Sequence, residues 1–128
     1  MAYNVLIVDD SETMRQVIRK TVMLSGFDAG EFREAGDGRE ALKTLQEHFV
    51  DLILTDLNMP RMNGLELLRE LVKDELFRKI PVVLVTIEAT GRAIDEARAL
   101  GIKEHIHKPF YPEIVRDVLN RVMEKANV

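Results

Sequence analysis

Residues 50–64 read V-D-L-I-L-T-D-L-N-M-P-R-M-N-G, and this stretch determines how the rest of the chain is interpreted. It opens with an apolar run at positions 52–54, which is typical of a short buried strand. The run leads to Asp56, and the residues that follow, among them Asn58 and Gly64, turn the chain into a loop. A strand that ends in a carboxylate holds the acid rigidly while the loop leaves it open to solvent. The stretch therefore predicts a chemical site at Asp56.

The composition is that of one ordinary globular domain, and we interpret residues 1–128 as a single domain of common size. The net charge of −4 disfavours nonspecific binding to nucleic acids or anionic membranes, which requires a basic surface. Cysteine is absent, so disulfides, thiolate catalysis and cysteine–zinc sites are excluded. The sequence contains no recognisable signal peptide or membrane span, and we expect a cytoplasmic location.

Strand-like and helix-like segments alternate five times along the chain. Short runs, mostly apolar, predict strands at 5–8, 31–35, 52–54, 82–85 and 104–107. Apolar residues at helical spacing predict helices near 12–24, 41–49, 65–72, 93–100 and 112–122. The charged strand at 31–35 is expected at a sheet edge. Because parallel strands need a helix-length crossover, the alternation predicts an α/β fold with a doubly wound parallel sheet.

Polar residues directly follow four of these predicted strands. In a doubly wound sheet, ligands bind beyond the carboxyl ends of the strands. Those ends contribute three carboxylates, a hydroxyl and an ammonium group, from Asp9, Asp10, Asp56, Thr86 and Lys108. Converging carboxylates repel one another unless a cation relieves them, and hard oxygen ligands in a partly hydrated site suit Mg²⁺. The residues thus predict a Mg²⁺-assisted phosphoryl site with a carboxylate nucleophile.

In this combination and order, the same residues resemble the receiver domains of two-component response regulators, most closely the single-domain chemotaxis type. The resemblance covers residues 5–123. It depends on the acidic pair at 9–10, the D-L-N-M-P-R-M-N-G segment at 56–64, Thr86, and K-P-F at 108–110. It implies a flavodoxin-like sheet of five parallel strands in the order 2-1-3-4-5, with five helices. It also implies a phosphorylation-dependent signalling switch in a two-component phosphorelay.

The resemblance implies a role for each acidic residue of the site. Asp56 is expected to be the phosphoacceptor, which takes a phosphoryl group from a phosphohistidine on a partner kinase. Mg²⁺ is expected to be bound by Asp10, by Asp56 and by the backbone carbonyl of Asn58, with Asp9 acting mainly through water. Such a protein catalyses its own phosphorylation and dephosphorylation but releases no metabolite.

The resemblance also implies how the signal leaves the site. The Thr86 hydroxyl and the Lys108 ammonium group are expected to bind the phosphoryl oxygens, and the Lys108–Pro109 peptide is expected to be cis. Phosphorylation would reshape the face built from the fourth helix, the fifth strand and the fifth helix. The implied partners are a histidine kinase or phosphotransfer protein and a downstream protein target. The protein is expected to be a monomer or a weak, phosphorylation-dependent dimer.

Two residues depart from the family pattern, and both affect how responsive the switch is. Ile87 stands after the threonine, where receivers usually carry a small residue. Its branched side chain is expected to obstruct small phosphodonors and attacking water. His105 stands where receivers often carry a rotating Tyr or Phe. Because burying a charged imidazole is costly, coupling to the output face is expected to be weaker or dependent on pH.

Two further patterns are weaker. Residues 36–41, G-D-G-R-E-A, match the dinucleotide fingerprint G-x-G-x-x-G/A, but the strand before them is charged and second in the chain. His105 and His107 share a strand face, which could bind a metal ion, but the sequence offers them no third ligand.

Three alternative functions stay open on the sequence alone. The chain could be a receiver domain excised from a longer regulator, or a pseudo-receiver that binds partners without phosphorylation. A metal-dependent phosphatase that uses Asp56 is disfavoured, because Asn58 stands where the usual second aspartate would act as acid and base.

Overall fold

The structure is a computed structural model, and it describes residues 2–87 and 91–126. Strands and helices alternate along the described chain. The strands are β1 (Tyr3–Val8), β2 (Ala29–Ala35), β3 (Leu52–Thr55), β4 (Val82–Thr86) and β5 (His105–His107). The helices are α1 (Glu12–Ser25), α2 (Gly38–Glu47), α3 (Gly64–Lys73), α4 (Arg92–Ala99) and α5 (Pro112–Ala126).

Within the described residues, the five strands form one parallel sheet in the order β2-β1-β3-β4-β5. This confirms the predicted fold class and strand order. The central strands pair in register, with Val5 opposite Leu52 and Val8 opposite Thr55. The charged strand β2 lies at one edge, as its sequence predicted, and the three-residue strand β5 lies at the other.

Helices cover both faces of the sheet, and successive side chains of each strand point alternately toward the two faces. On one face, Val5 and Ile7 pack in a core that includes residues of α1 and α5. On the other face, Leu6 and Val8 pack with residues of α2 and α3. These four side chains are completely buried, and burying each one stabilises the fold by about 1.5–3 kcal/mol.

Local polar residues set where the helices begin. The Ser11 side chain accepts a hydrogen bond from the Met14 N–H and caps α1. Asn63 and Glu66 form a reciprocal capping box at the start of α3. These caps fix the directions in which the chain leaves β1 and β3, and so they help to define the edge of the sheet where the polar residues gather.

The predicted second helix was too long at its C-terminal end. It was expected to reach Phe49, but α2 ends at Glu47, because His48 adopts an extended conformation while its N–H still bonds to the Thr44 carbonyl. Phe49 consequently lies outside the helix with 77% of its surface exposed.

Across the described residues, none of the helices combines the length and the apolar character that crossing a bilayer requires.

Candidate functional site

Three of the predicted site residues meet at the carboxyl edge of the sheet, around the ammonium group of Lys108. Its Nζ lies 3.1 Å from Oδ2 of Asp9 and 3.2 Å from Oδ2 of Asp56. The three side chains are 13%, 3% and 15% exposed, respectively. One cation is therefore shared between two carboxylates that come from different strand ends, and water screens them only partly.

The backbone holds Asp56 rigidly at the end of β3. Its N–H donates to the Val8 carbonyl at 3.0 Å, and its Oδ1 accepts a 2.7 Å hydrogen bond from the Leu57 N–H. The chain then returns to the same place, since the Gly64 N–H donates to the Leu57 carbonyl at 2.9 Å. A β-carbon on Gly64 would overlap the Asp56 carbonyl oxygen, so this close return requires glycine.

Asp9 is also held on both sides. Its Oδ1 accepts a hydrogen bond from the Ser11 N–H at 2.9 Å, and its backbone carbonyl accepts one from the Arg15 guanidinium at 2.7 Å. Arg15 in turn pairs with Glu34 of β2 at 2.9 Å. Arg15 and Glu34 could not be recognised from the sequence, because neither is next to the acidic pair and no local pattern connects them.

Thr86 lies at the end of β4 and is completely buried. Its carbonyl accepts a 2.9 Å hydrogen bond from the Lys108 N–H, which fixes the start of the β5–α5 loop against β4. The Lys108–Pro109 peptide bond is cis, as expected. By contrast, Asp10 and Asn58 are both exposed.

The predicted Mg²⁺ ligands are only partly gathered. Across the described residues, no three His, Asp or Glu side chains stand close enough together to hold a metal ion. Asp9 and Asp56 do offer hard carboxylate oxygens on either side of one cation, which is the donor type that Mg²⁺ prefers. The donor set therefore suits Mg²⁺ chemically. In this structure, the Lys108 ammonium group contacts carboxylate oxygens of Asp9 and Asp56 that the metal would need.

A second ion pair joins the loop after Asp56 to the loop after β2. Nε of Arg61 lies 2.6 Å from Oδ2 of Asp37, whose side chain is completely buried although that of Arg61 is 63% exposed. Arg61 has a positive φ of 63°, which is rare for a residue with a side chain. Asp37 also caps α2 by accepting from the Glu40 N–H at 2.9 Å.

The pKa of Asp37 reflects this environment. Burial by itself raises the pKa of Asp37. The hydrogen bond from the Glu40 N–H and the hydrogen bond and charge of Arg61 together lower the pKa by more. The pKa of Asp37 therefore lies below its ordinary value of 3.8. An aspartate three residues before a glutamate was a recognisable helix-start signal, whereas nothing in the sequence pointed to Arg61 as its partner.

These contacts also account for the segment that resembled a dinucleotide fingerprint. The Gly38 N–H donates to the Met62 carbonyl at 2.9 Å, and a β-carbon on Gly38 would lie 2.5 Å from Cγ of Met62. A β-carbon on Gly36 would likewise lie 2.6 Å from the Glu40 carboxylate. The space that a bound phosphate would need beside these glycines is occupied by the protein's own side chains.

The two residues that depart from the family pattern lie on the β4 and β5 side of the site. Ile87 directly follows β4, and 69% of its surface is exposed. His105 is half-buried on β5 opposite Leu84, while His107 is exposed. In the described part of the chain, the two histidines acquire no third ligand that would make a metal site.

Comparison with known proteins connects this arrangement to one family. Residues 5–120 match the model of the response regulator receiver domain. The chain is 37% identical to the chemotaxis protein CheY of Pseudomonas aeruginosa over 123 residues, which cover 96% of this chain and 98% of the relative. It is 35% identical to CheY1 of Helicobacter pylori over 119 residues, or 92% and 94% of the two chains. A solved structure of CheY4 from Vibrio cholerae superposes with a TM-score of 0.84 at 34% identity, covering 95% of this chain and 99% of that one.

Proposed function

Because the chain belongs to the response regulator receiver family, we propose that it is a phosphorylation-dependent switch in which Asp56 accepts the phosphoryl group. The observation that carries this proposal is the ammonium group of Lys108, held between the Asp9 and Asp56 carboxylates. A rigid carboxylate with a cation beside it is suited to attack phosphorus and to have the incoming negative charge neutralised.

In the proposed reaction, an Asp56 carboxylate oxygen attacks the phosphorus of a phosphohistidine on a kinase or phosphotransfer protein. A new O–P bond forms as the N–P bond breaks, and the electron pair of that bond stays on the histidine nitrogen. The product is an acyl phosphate on Asp56. Lys108 and the Thr86 hydroxyl would then donate to phosphoryl oxygens, and hydrolysis by water would return the carboxylate and release phosphate.

Bound Mg²⁺ would supply charge neutralisation between the carboxylates and the phosphoryl oxygens. Asp10, Asp56 and the backbone carbonyl of Asn58 are the proposed ligands, with Asp9 acting mainly through water. Lys108 would have to release at least one carboxylate oxygen to make room, after which its ammonium group is free to bind the phosphoryl group.

Output is proposed to pass through the face formed by α4, β5 and α5. Lys108 connects this face to Asp56, because it directly follows β5 and its N–H bonds to the last residue of β4. A downstream protein would recognise the altered face, and the names of the relatives make a chemotaxis target the first to test. We propose a single domain that acts in the cytoplasm through protein partners, as a monomer or a weak dimer.

The test is incubation with Mg²⁺ and phosphorylated kinases or phosphotransfer domains, followed by intact-mass measurement. We expect one phosphate adduct on the wild type and none on Asp56→Asn, which keeps the shape of the side chain. Asp51→Asn serves as the matched control, since Asp51 precedes the same strand and bonds to the Asn4 N–H instead. No adduct with any donor would overturn the proposal and favour a pseudo-receiver that binds partners without phosphorylation.

A further inference from the structure

A cavity of about 290 Å³ lies at the edge of the sheet opposite to Asp56. It is lined by residues 80–82, which lead into β4, and by residues 102–104, which lead into β5. Since the strands are parallel, these N-terminal ends lie away from the carboxyl ends where Asp56 and Lys108 meet. The cavity is therefore separate from the proposed phosphorylation site.

The wall of the cavity is apolar. Leu68 and Leu71 of α3 line one side and are 3% and 2% exposed, and Ile102 is 6% exposed. Phe77 and Ile80, which are half-buried, line the loop between α3 and β4. Small-molecule sites in proteins typically occupy about 300–1,000 Å³, so this cavity has the size for a short acyl chain or a single aromatic ring.

The rim is cationic. Arg78, Lys79, Lys103 and Lys125 line the cavity and are exposed. Among the described residues, none of the four has a carboxylate oxygen within ion-pair distance, although Lys125 attracts the Glu104 carboxylate from farther away. Glu104 is the acidic residue of the lining, but Arg121 neutralises it with contacts of 3.0 and 3.4 Å. The hydrogen bond from Arg121 is the main reason that the pKa of Glu104 is lowered.

This concentration of positive charge contrasts with the net charge of the whole chain, which is −4. A neutral apolar ligand would leave the cations unused, while a bare inorganic anion would leave the apolar wall exposed to water. The two features together match a ligand with an apolar body and one anionic end.

We propose that this cavity binds a small carboxylate with an apolar body, of the medium-chain fatty acid class. The acyl chain lies against Leu68, Leu71 and Ile102, and the carboxylate lies at the rim beside Lys103 and Lys125. Binding does not require phosphorylation of Asp56, so the proposal stands or falls independently of the proposed switch.

The test is titration of the isotope-labelled protein with octanoate, followed by backbone amide NMR, with octan-1-ol as the neutral probe of equal chain length. We expect saturable shifts confined to amides around the cavity, such as Leu71, Ile102 and Lys125. The alcohol is expected to bind about fivefold more weakly, because it cannot interact with the cationic rim.

Two variants separate the charged rim from the apolar wall. Lys103→Gln/Lys125→Gln is expected to weaken octanoate about fivefold and to leave octanol unchanged. The matched control Lys20→Gln/Lys43→Gln removes two exposed lysines from α1 and α2 and is expected to change neither affinity. Val72→Trp, at a cavity-lining position that is 39% exposed, is expected to block both probes.

Three results would overturn the proposal: equal affinity for octanol and octanoate, an equal loss in the control pair, or shifts that are unsaturable or scattered over the surface. If Val72→Trp fails to fold, the two lysine pairs still decide the question, because they lie on the surface.

Discussion

Arg61, which is largely exposed, forms a 2.6 Å ion pair with Asp37, which is completely buried. The pair connects the loop that follows Asp56 to the N-terminus of α2. Arg61 takes a positive φ of 63° there. A strained backbone conformation of this kind is stable only where several surrounding contacts hold it in place. The conformation of the loop beside Asp56, the proposed phosphoacceptor, therefore depends on a carboxylate that lies outside the site.

Asp37→Asn is predicted to lower the free energy of unfolding at pH 7 by about 1–3 kcal/mol. Asparagine can still cap α2, but it loses the charge that attracts Arg61. Because the folded pKa of Asp37 is depressed, its contribution is fully present above the ordinary pKa of 3.8 and is lost as the pH falls below it. Urea unfolding of both proteins should show a difference that shrinks steadily in that acidic range.

The control is Asp117→Asn, which removes an exposed carboxylate that pairs with Arg116. It should change the stability by less than about 0.5 kcal/mol. A pH-independent difference between the wild type and Asp37→Asn would contradict the electrostatic explanation.

Gly64→Ala is predicted to destabilise the fold by about 1–3 kcal/mol and to slow phosphorylation of Asp56. The added methyl group meets the Asp56 carbonyl, which is backbone and cannot rotate away. Unfolding midpoints and phosphate incorporation would be measured together. Gly30→Ala is the matched control, since its methyl group meets the Asn4 side chain, and it should leave phosphorylation unchanged.

Lys108→Ala is predicted to raise the affinity of the unphosphorylated protein for Mg²⁺ by about three- to tenfold. Removing the ammonium group leaves the Asp9 and Asp56 carboxylates without their cation, so a divalent ion no longer competes with it. Calorimetric titration measures this without any phosphodonor. Lys43→Ala on the exposed face of α2 should have no effect, and equal affinity in all three proteins would remove Lys108 from the metal site.

Ile87→Ala is predicted to speed phosphorylation by small-molecule donors several-fold, and to speed loss of the phosphoryl group as well. The branched side chain follows Thr86 directly, so truncating it would widen access for donors and water. The exposed residue Ile114 on α5 provides the control substitution Ile114→Ala. Rates unchanged by Ile87→Ala would rule out crowding as the explanation.

His105→Tyr is predicted to remove a pH dependence from partner binding between about pH 5.5 and 8. A charged imidazole resists burial, whereas the phenol of tyrosine carries no charge at these pH values. Affinity of the phosphorylated protein for its target would be measured at several pH values. Identical profiles for both proteins would show that His105 does not couple the site to the output face.

The sequence was sufficient for those parts of the site that depend on strand order. Asp9, Asp56 and Lys108 each directly follow a strand, so a parallel sheet brings them together whatever the loops do. The pair of Asp37 and Arg61 could not be predicted, because it joins two loops 24 residues apart through a positive φ that no local pattern signals. The end of α2 at Glu47 was not predicted, because the apolar spacing continues to Phe49 although the backbone becomes extended at His48.

The two edge strands have a consequence for self-association. An edge strand offers unpaired amides to any other extended chain, which makes it a starting point for aggregation. In β2 this risk is reduced by Glu31 and Arg33, which form a 2.8 Å ion pair and make hydrophobic docking of a foreign strand costly. Strand β5 is three residues long, so it offers an incoming strand too few hydrogen bonds for stable pairing. The folded sheet thus carries its own protection against amyloid-like stacking at both edges.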